Sequence, residues 1–269
     1  MRLAQIQMAV TADKAENLRR AETLLASVKG ADMAVLPEMF CCPYDNGCFR
    51  AYGEAEGGAA YQMLSRAAAE NRLWVVGGSL PELDGGRVYN TSYVFAPDGR
   101  CAARHRKIHL FDIDVDGGQR FRESDTLTAG DDVTVFDTPW GKMGLCICFD
   151  LRFQELSRLM TLAGAQVLLV PAAFNMTTGP AHWELLFRQR AVDNQLFTVG
   201  VSPARDEAAS YVAWGHSIVC DPWGAVLHQC GAGVEVAVTE LDMAQVSAVR
   251  RQLPILSARR TDIYEIRRK

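Results

Sequence analysis

The sequence predicts an α/β fold of two sheets stacked face to face between helical layers, an α-β-β-α four-layer sandwich. Three observations point to it. Short apolar strand patterns alternate with amphipathic helix patterns along most of the chain. Gly30-Ala31-Asp32-Met33-Ala34-Val35-Leu36-Pro37-Glu38-Met39-Phe40 lines up without gaps on Gly164-Ala165-Gln166-Val167-Leu168-Leu169-Val170-Pro171-Ala172-Ala173-Phe174. Both segments follow a helix, both are apolar strands stopped by proline, and both carry Phe three residues later, as two βαβ-type halves would. Finally, 269 residues with 49% hydrophobic side chains can bury a large core.

In order, Leu3 to Val10 is a strand and Ala15 to Val28 a helix with Leu18, Leu24, Leu25 and Val28 on one side. Met33 to Leu36 is a short buried strand, Tyr61 to Glu70 a helix, and Leu73 to Gly77 a strand. Val88 to Ala96 and Arg100 to Lys107 flank Pro97-Asp98-Gly99, a hairpin turn signature. A polar excursion from Phe111 to Asp131 precedes strands at Val133–Asp137 and Lys142–Ile147. From Asp150 to Thr161, Leu151, Leu156, Leu159 and Met160 have the spacing of a helix with one buried face. Strand Val167–Val170, helix Ala181–Asn194 and strand Leu196–Val201 follow. The last third reads as mostly strand, with turns at Asp221-Pro222-Trp223-Gly224 and Gly231–Gly233, until a helix from Met243 to Arg251. No linker or low-complexity run interrupts the pattern, so residues 1–269 are expected to form one domain.

The net charge of −4 leaves no basic patch for nucleic acid, and the terminal Arg267-Arg268-Lys269 reads as a solvated tail. No apolar stretch is long enough to span a bilayer, and Met1-Arg2-Leu3-Ala4-Gln5 opens into a strand rather than a secretory signal. The eight cysteines are therefore read as reduced thiols of a cytoplasmic protein. Cys41-Cys42, Cys48 and Cys146/Cys148 lack paired spacing with histidines, so no metal is expected.

Chemistry concentrates at three points. Cys148 sits where a strand hands over to a helix, whose N–H groups would lower the thiol pKa and serve an oxyanion. Glu38, just past a buried strand and before Met39-Phe40, is placed to be desolvated, with a raised pKa suited to a general base. In His105-Arg106-Lys107-Ile108-His109, a cationic run ends in apolar residues, so Lys107 can project into a cleft beside developing negative charge. Glu123 lies in the long polar loop, where a solvated charge is the ordinary outcome.

Glu38, Lys107 and Cys148, in this order and with the flanks Leu36-Pro37-Glu38-Met39-Phe40, Arg106-Lys107-Ile108-His109-Leu110 and Gly144-x-Cys146-Ile147-Cys148-Phe149-Asp150-Leu151-Arg152-Phe153, resemble the Glu-Lys-Cys triad of the nitrilase superfamily of carbon–nitrogen hydrolases. The resemblance spans essentially the whole chain. It is finest with the ω-amidase branch, through Phe174 to Leu186, Ser202-Pro203-Ala204-Arg205-Asp206 and Ser210-Tyr211-Val212-Ala213-Trp214-Gly215-His216. Cys146 departs from the family, which generally carries glycine there. Since residues two apart on a strand share a face, alternation alone does not decide which thiol reacts.

The resemblance implies a cofactor-free thiol amidase acting on the terminal amide of short dicarboxylic acid monoamides such as α-ketoglutaramate or α-ketosuccinamate. Glu38 would act as base, and Lys107 with the Phe149 backbone N–H would hold the oxyanion. Glu123 would complete the family's tetrad. Tyr44, Phe174, Thr177 and Thr178 are expected to bind substrate. Pro180 suits the first turn of a helix whose N-terminus would take the distal carboxylate. The resemblance also implies a homodimer or higher oligomer, with segment 254–269, rich in Ile255, Leu256, Ile263, Tyr264 and Ile266, at the subunit interface. Three other readings compete. An amidase for another substrate, such as deaminated glutathione, keeps the same chemistry. A Gly-x-Cys-x-Gly nucleophile elbow fails at its fifth position, which is Cys148. A scaffold that has lost catalysis would need to have lost one of these residues.

Overall fold

The computed structural model describes all 269 residues. Strands β1 (Arg2–Gln7), β2 (Met33–Val35), β3 (Trp74–Val76), β4 (Leu80–Asp84), β5 (Arg87–Phe95) and β6 (Cys101–Arg106) build the first sheet, which β15 (Glu235–Glu240) joins beside β1. The second sheet runs in the order β14 (Val226–Gln229), β13 (Ile218–Cys220), β12 (Phe197–Val201), β11 (Ala165–Pro171), β10 (Gly141–Leu145), β9 (Thr134–Thr138). Helices α1 (Lys14–Ser27) and α3 (Ala59–Asn71) cover the first sheet; α4 (Gln154–Leu162) and α5 (Gly179–Asn194) cover the second.

Strand alternation makes the layers. Met33 and Val35 point into a core shared with Met143, Leu145, Val167 and Leu169 of the other sheet. Ala34 and Leu36 point the other way, against Ala21, Leu25 and Leu64 of the covering helices. Leu168 and Val170 likewise turn outward, to Leu156, Met160 and Phe187. All eight cysteines are free, so apolar burial between four layers, not cross-linking, holds the sheets together. The two echoed segments hold corresponding places. β2 lies between β1 and β3 and runs parallel to both, and β11 does so between β10 and β12.

Several boundaries differ from the sequence expectation, each for a local reason. The first strand stops at Gln7, where β15 pairing ends and the Gln7 amide turns to the Gly231 and Gly233 carbonyls. β4 was not expected because Pro81 weakens a strand pattern; it is an edge strand beside β5, met on its outer side only by the bridge at Glu54, so the missing N–H costs little. Helix α2 (Asn46–Tyr52) hides behind a turn-like Asp45-Asn46-Gly47, where Asp45 caps Gly47 N–H at 2.7 Å. The polar excursion holds a two-stranded ribbon, β7 (Asp112–Asp114) with β8 (Arg120–Arg122). The last third is less strand-rich than expected, with residues 202–217 largely a loop, before α6 (Ala244–Gln252). No helix is long and apolar enough to cross a membrane.

The expected helix over Asp150–Thr161 is two pieces: a 3-10 turn, Cys148–Arg152, then α4, broken at the extended Phe153. Asp150 explains the break. Its carboxylate accepts from the Ile147 N–H at 3.0 Å and the His109 N–H at 2.9 Å, while Phe153 stacks on the His109 ring at 3.6 Å. The turn is thereby tied to the strand-end segment that carries Lys107.

Candidate active site

Cys148 occupies the first position of the 3-10 turn with φ +47°, a left-handed conformation that costs an L-residue about 1–2 kcal/mol. Asp150 holds it there: beyond its two backbone donors, it bonds His105 Nε2 at 3.1 Å and His109 Nδ1 at 2.8 Å. Burial alone would raise the Asp150 pKa. The His105 and His109 hydrogen bonds outweigh burial and hold it well below the usual carboxylate range. A second left-handed residue, Met39 (φ +51°), follows Glu38, and its N–H is fixed by Ser79 Oγ at 3.0 Å. Both strand ends are thus bent sharply toward a common point.

Glu38, Lys107, Glu123 and Cys148 meet at that point; the first three are fully buried and Cys148 is 3% exposed. Lys107 Nζ donates to Glu38 Oε1 at 2.9 Å, to Glu123 Oε1 at 2.9 Å and to Tyr44 Oη at 3.3 Å. Burial would lower the lysine pKa, but Glu123 and then Glu38 reverse the sign, so it stays charged. Glu38 Oε1 also accepts from Asn90 Nδ2 at 2.8 Å. Glu38 Oε2 has no donor and is left for the Cys148 thiol, with which this carboxylate interacts. Burial raises the Glu38 pKa, and Lys107 only partly offsets it.

The structure corrects one electrostatic expectation. The Cys148 pKa is not lowered by a helix end; burial, then Glu38, push it well above the ordinary thiol value, against Lys107 and the Ala173 backbone N–H. A five-residue 3-10 turn supplies too small a dipole to compensate. A thiol in such surroundings would need a base in order to act as a nucleophile. The Phe149 N–H precedes the first bond of the turn, Asp150 N–H to Ile147 carbonyl at 3.0 Å, which is where a helical turn leaves donors for an oxyanion.

Glu123 is no solvated loop charge. Its Oε1 accepts from Tyr44 Oη at 2.6 Å as well as from Lys107, and Oε2 accepts from the Phe111 N–H at 2.6 Å. It therefore gives the ammonium a second buried carboxylate beside Glu38. Tyr44 is on the wall of a cavity of about 320 Å³ with Glu38, Ala173 and Tyr211, all four of which interact with Cys148. The Tyr44 hydroxyl is committed to Glu123, so it supports Lys107 and is not free to donate to a substrate.

The expected carboxylate site at the N-terminus of α5 is also corrected. Asn175 Oδ1 accepts from the Thr177 N–H at 3.1 Å, the Thr178 N–H at 2.8 Å and the Thr178 hydroxyl at 3.0 Å. These donors are spent on the loop itself. Phe174 is 3% exposed and lies under the Arg152 guanidinium, 4.7 Å from ring centroid to Cζ. Arg152 is what the sequence reading passed over. It lies over Phe149 as well, at 5.7 Å, and meets His182 Nδ1 at 3.2 Å, yet it has no carboxylate partner in the chain. Burial lowers its pKa, and no acidic side chain offsets that. Its only sequence signal was its position four residues after Cys148. Asn90, within β5, was passed over because its partner is distant in sequence.

Comparison with known proteins follows the same lines. Residues 2–251 match the family model for carbon–nitrogen hydrolases. The chain is 51% identical to the omega-amidase NIT2 of Danio rerio over 267 residues, 98% of this chain and 96% of the relative. It is 47% identical to the human omega-amidase NIT2 over 270 residues, covering 100% and 98% of the two chains. Among solved structures, Saccharomyces cerevisiae Nit3, a member of branch 10 of the nitrilase superfamily, superposes with a TM-score of 0.89 at 39% identity, covering 97% of this chain and 96% of that one. With matches of this extent, the chain belongs to the carbon–nitrogen hydrolase family, within the nitrilase superfamily.

Proposed function

We propose that this protein is an ω-amidase: a thiol amidase that hydrolyses the terminal amide of short dicarboxylic acid monoamides, such as α-ketoglutaramate and α-ketosuccinamate, to the keto diacid and ammonia. The observation that carries the substrate class is Arg152, a half-buried guanidinium over Phe149 and Phe174, four residues from Cys148, with no acidic partner in its own chain. A substrate bringing its own carboxylate supplies that partner, and the relatives named above support the reading.

In this mechanism Glu38 Oε2 takes the Cys148 proton as sulfur attacks the amide carbon. Lys107 and the Phe149 N–H hold the oxyanion. The C–N bond breaks as Glu38 returns the proton to nitrogen, and ammonia leaves a thioester on Cys148. Glu38 then takes a proton from water, hydroxide adds to the thioester, and the acid departs as sulfur recovers its proton. The raised Glu38 pKa suits a group that must both take and give. No step calls for a metal or organic cofactor.

The test compares α-ketoglutaramate with its ester at the distal carboxylate. A charge-assisted hydrogen bond contributes ~1.5–3 kcal/mol, or roughly a tenfold to hundredfold effect on kcat/KM. Arg152→Met should cost the acid that factor and barely change the ester. Equal rates on acid and ester in the unaltered enzyme, or equal losses in the variant, would refute the assignment.

We also infer a single domain over residues 1–269, a cytoplasmic location in keeping with eight free cysteines, and a homodimer or higher oligomer. Ile263 is 68% exposed and Tyr264 50%, while Ile255 and Ile266 pack partly on their own subunit near Arg158. That leaves an apolar part of segment 254–269 for a partner. Light scattering at micromolar concentration should give at least a dimer mass; a monomer would count against it.

A further inference from the structure

We propose a zinc-type metal site, separate from the active site, formed by His228, Cys230 and Glu235. Their donor atoms all lie within 4.8 Å of one another. His228 is on β14 and Glu235 begins β15, which are the outermost strands of the two sheets on the same side. A bound ion would clip the sheet edges together. The sequence expectation of no metal weighed Cys41-Cys42, Cys48 and Cys146/Cys148; this trio lacks paired-cysteine spacing and comes together only across the Gly231–Gly233 turn.

The donor spacing, held by hydrogen bonds in the metal-free protein, also fits an ion. Cys230 Sγ is 3.6 Å from His228 Nε2, and that nitrogen is 3.2 Å from Glu235 Oε1. Tetrahedral zinc, with bonds of about 2.3 Å to sulfur and about 2.0–2.2 Å to nitrogen and oxygen, would set these separations at about 3.6 and 3.4 Å. Those two separations already fit, and the third lies within 4.8 Å. The backbone is already clamped: the Cys230 N–H donates to the Ser217 carbonyl at 2.8 Å, and the Cys230 carbonyl accepts from His216 Nδ1 at 3.1 Å. The Gly231 N–H holds Glu235 Oε2 at 2.9 Å, the kind of outer support that orients a ligating carboxylate. Cys230 is 3% exposed, whereas the His228 and Glu235 side chains are about one-third exposed, giving an ion a way in and water the fourth position. Imidazole, thiolate and carboxylate together suit Zn²⁺ better than Ca²⁺ or Mg²⁺. Binding releases the Cys230 thiol proton to water and forms the metal–sulfur bond.

The probe is Co²⁺, then Zn²⁺, added to the full-length protein after chelator treatment. The expected result is one Co²⁺ per chain with a near-ultraviolet sulfur-to-cobalt band that Zn²⁺ displaces. Cys148→Ala should keep the band, showing that the active-site thiol is not its source. Cys230→Ser and His228→Ala should lose it and weaken binding by about a hundredfold or more. Should those variants fold poorly, alkylation of the unaltered protein followed by peptide mapping decides: Zn²⁺ should slow labelling of Cys230 and leave Cys48 unaffected. No stoichiometric binding, a band that survives in Cys230→Ser, or a Cys230 labelling rate indifferent to Zn²⁺ would each overturn the site.

Discussion

Cys148→Ala is expected to lose ammonia release by about 10⁴-fold or more, whereas Cys146→Gly keeps it nearly intact. The two thiols are two residues apart and both buried, but their surroundings differ. Cys148 faces Glu38, Lys107 and the Ala173 N–H. Cys146 is packed in the cluster of Leu156, Met160 and Phe187, and the charges that reach it are Asp150 and Arg190. Neither can serve as its base. Asp150 is saturated by two histidines and two backbone N–H groups, and Arg190 is engaged with the Leu151 and Arg152 carbonyls. Glycine at position 146 would cost about 1–2 kcal/mol of stability through a small void and a freer backbone. Steady-state ammonia assays on the two variants check this, and the reverse pattern would move the nucleophile to Cys146.

Glu38→Gln is the second large effect, about 10³-fold or more on kcat, because in the proposed mechanism the same carboxylate serves both halves of the reaction. The pH dependence carries the sign. Glu38 has a raised pKa through burial, so kcat/KM of the unaltered enzyme should fall with acidity at a pH above the ordinary glutamate value of about 4.3. The glutamine variant should lack that limb. Stability responds oppositely. A carboxylate whose folded-state pKa is raised binds its proton more readily when folded. Its contribution is therefore favourable below the unfolded pKa and lost as pH rises through the folded one. Glu38→Gln should leave Tm at neutral pH unchanged or higher, measured by calorimetry. A variant that keeps the acid limb, or loses activity only because it unfolds, would contradict the base assignment.

The difference between what could and could not be read from the sequence follows contact distance along the chain. Glu38 stood out because a proline-stopped apolar run dictates a strand end, and the echo with Val167–Pro171 placed that end beside its counterpart. Lys107 and Cys148 were legible from abrupt changes of polarity within a few residues. What escaped depends on partners far away in sequence. Asn90 matters through Glu38, 52 residues away, and Tyr44 is withdrawn from substrate by Glu123, 79 residues away. Thr177 and Thr178 looked like anion donors because a helix start was correctly read. Asn175, just upstream, already satisfies them. The Cys148 pKa was misjudged for a different reason: apolar spacing does not separate a 3-10 turn from the first turn of an α-helix, and only the longer helix carries the dipole.

The most direct test of the thiol-amidase account is to quench the enzyme in acid during turnover of α-ketoglutaramate and map the peptide that carries Cys146 and Cys148. The account predicts an acyl group, equal in mass to the substrate less ammonia, on Cys148 alone. An adduct on Cys146, or undiminished ammonia release from Cys148→Ala with no adduct, would contradict it.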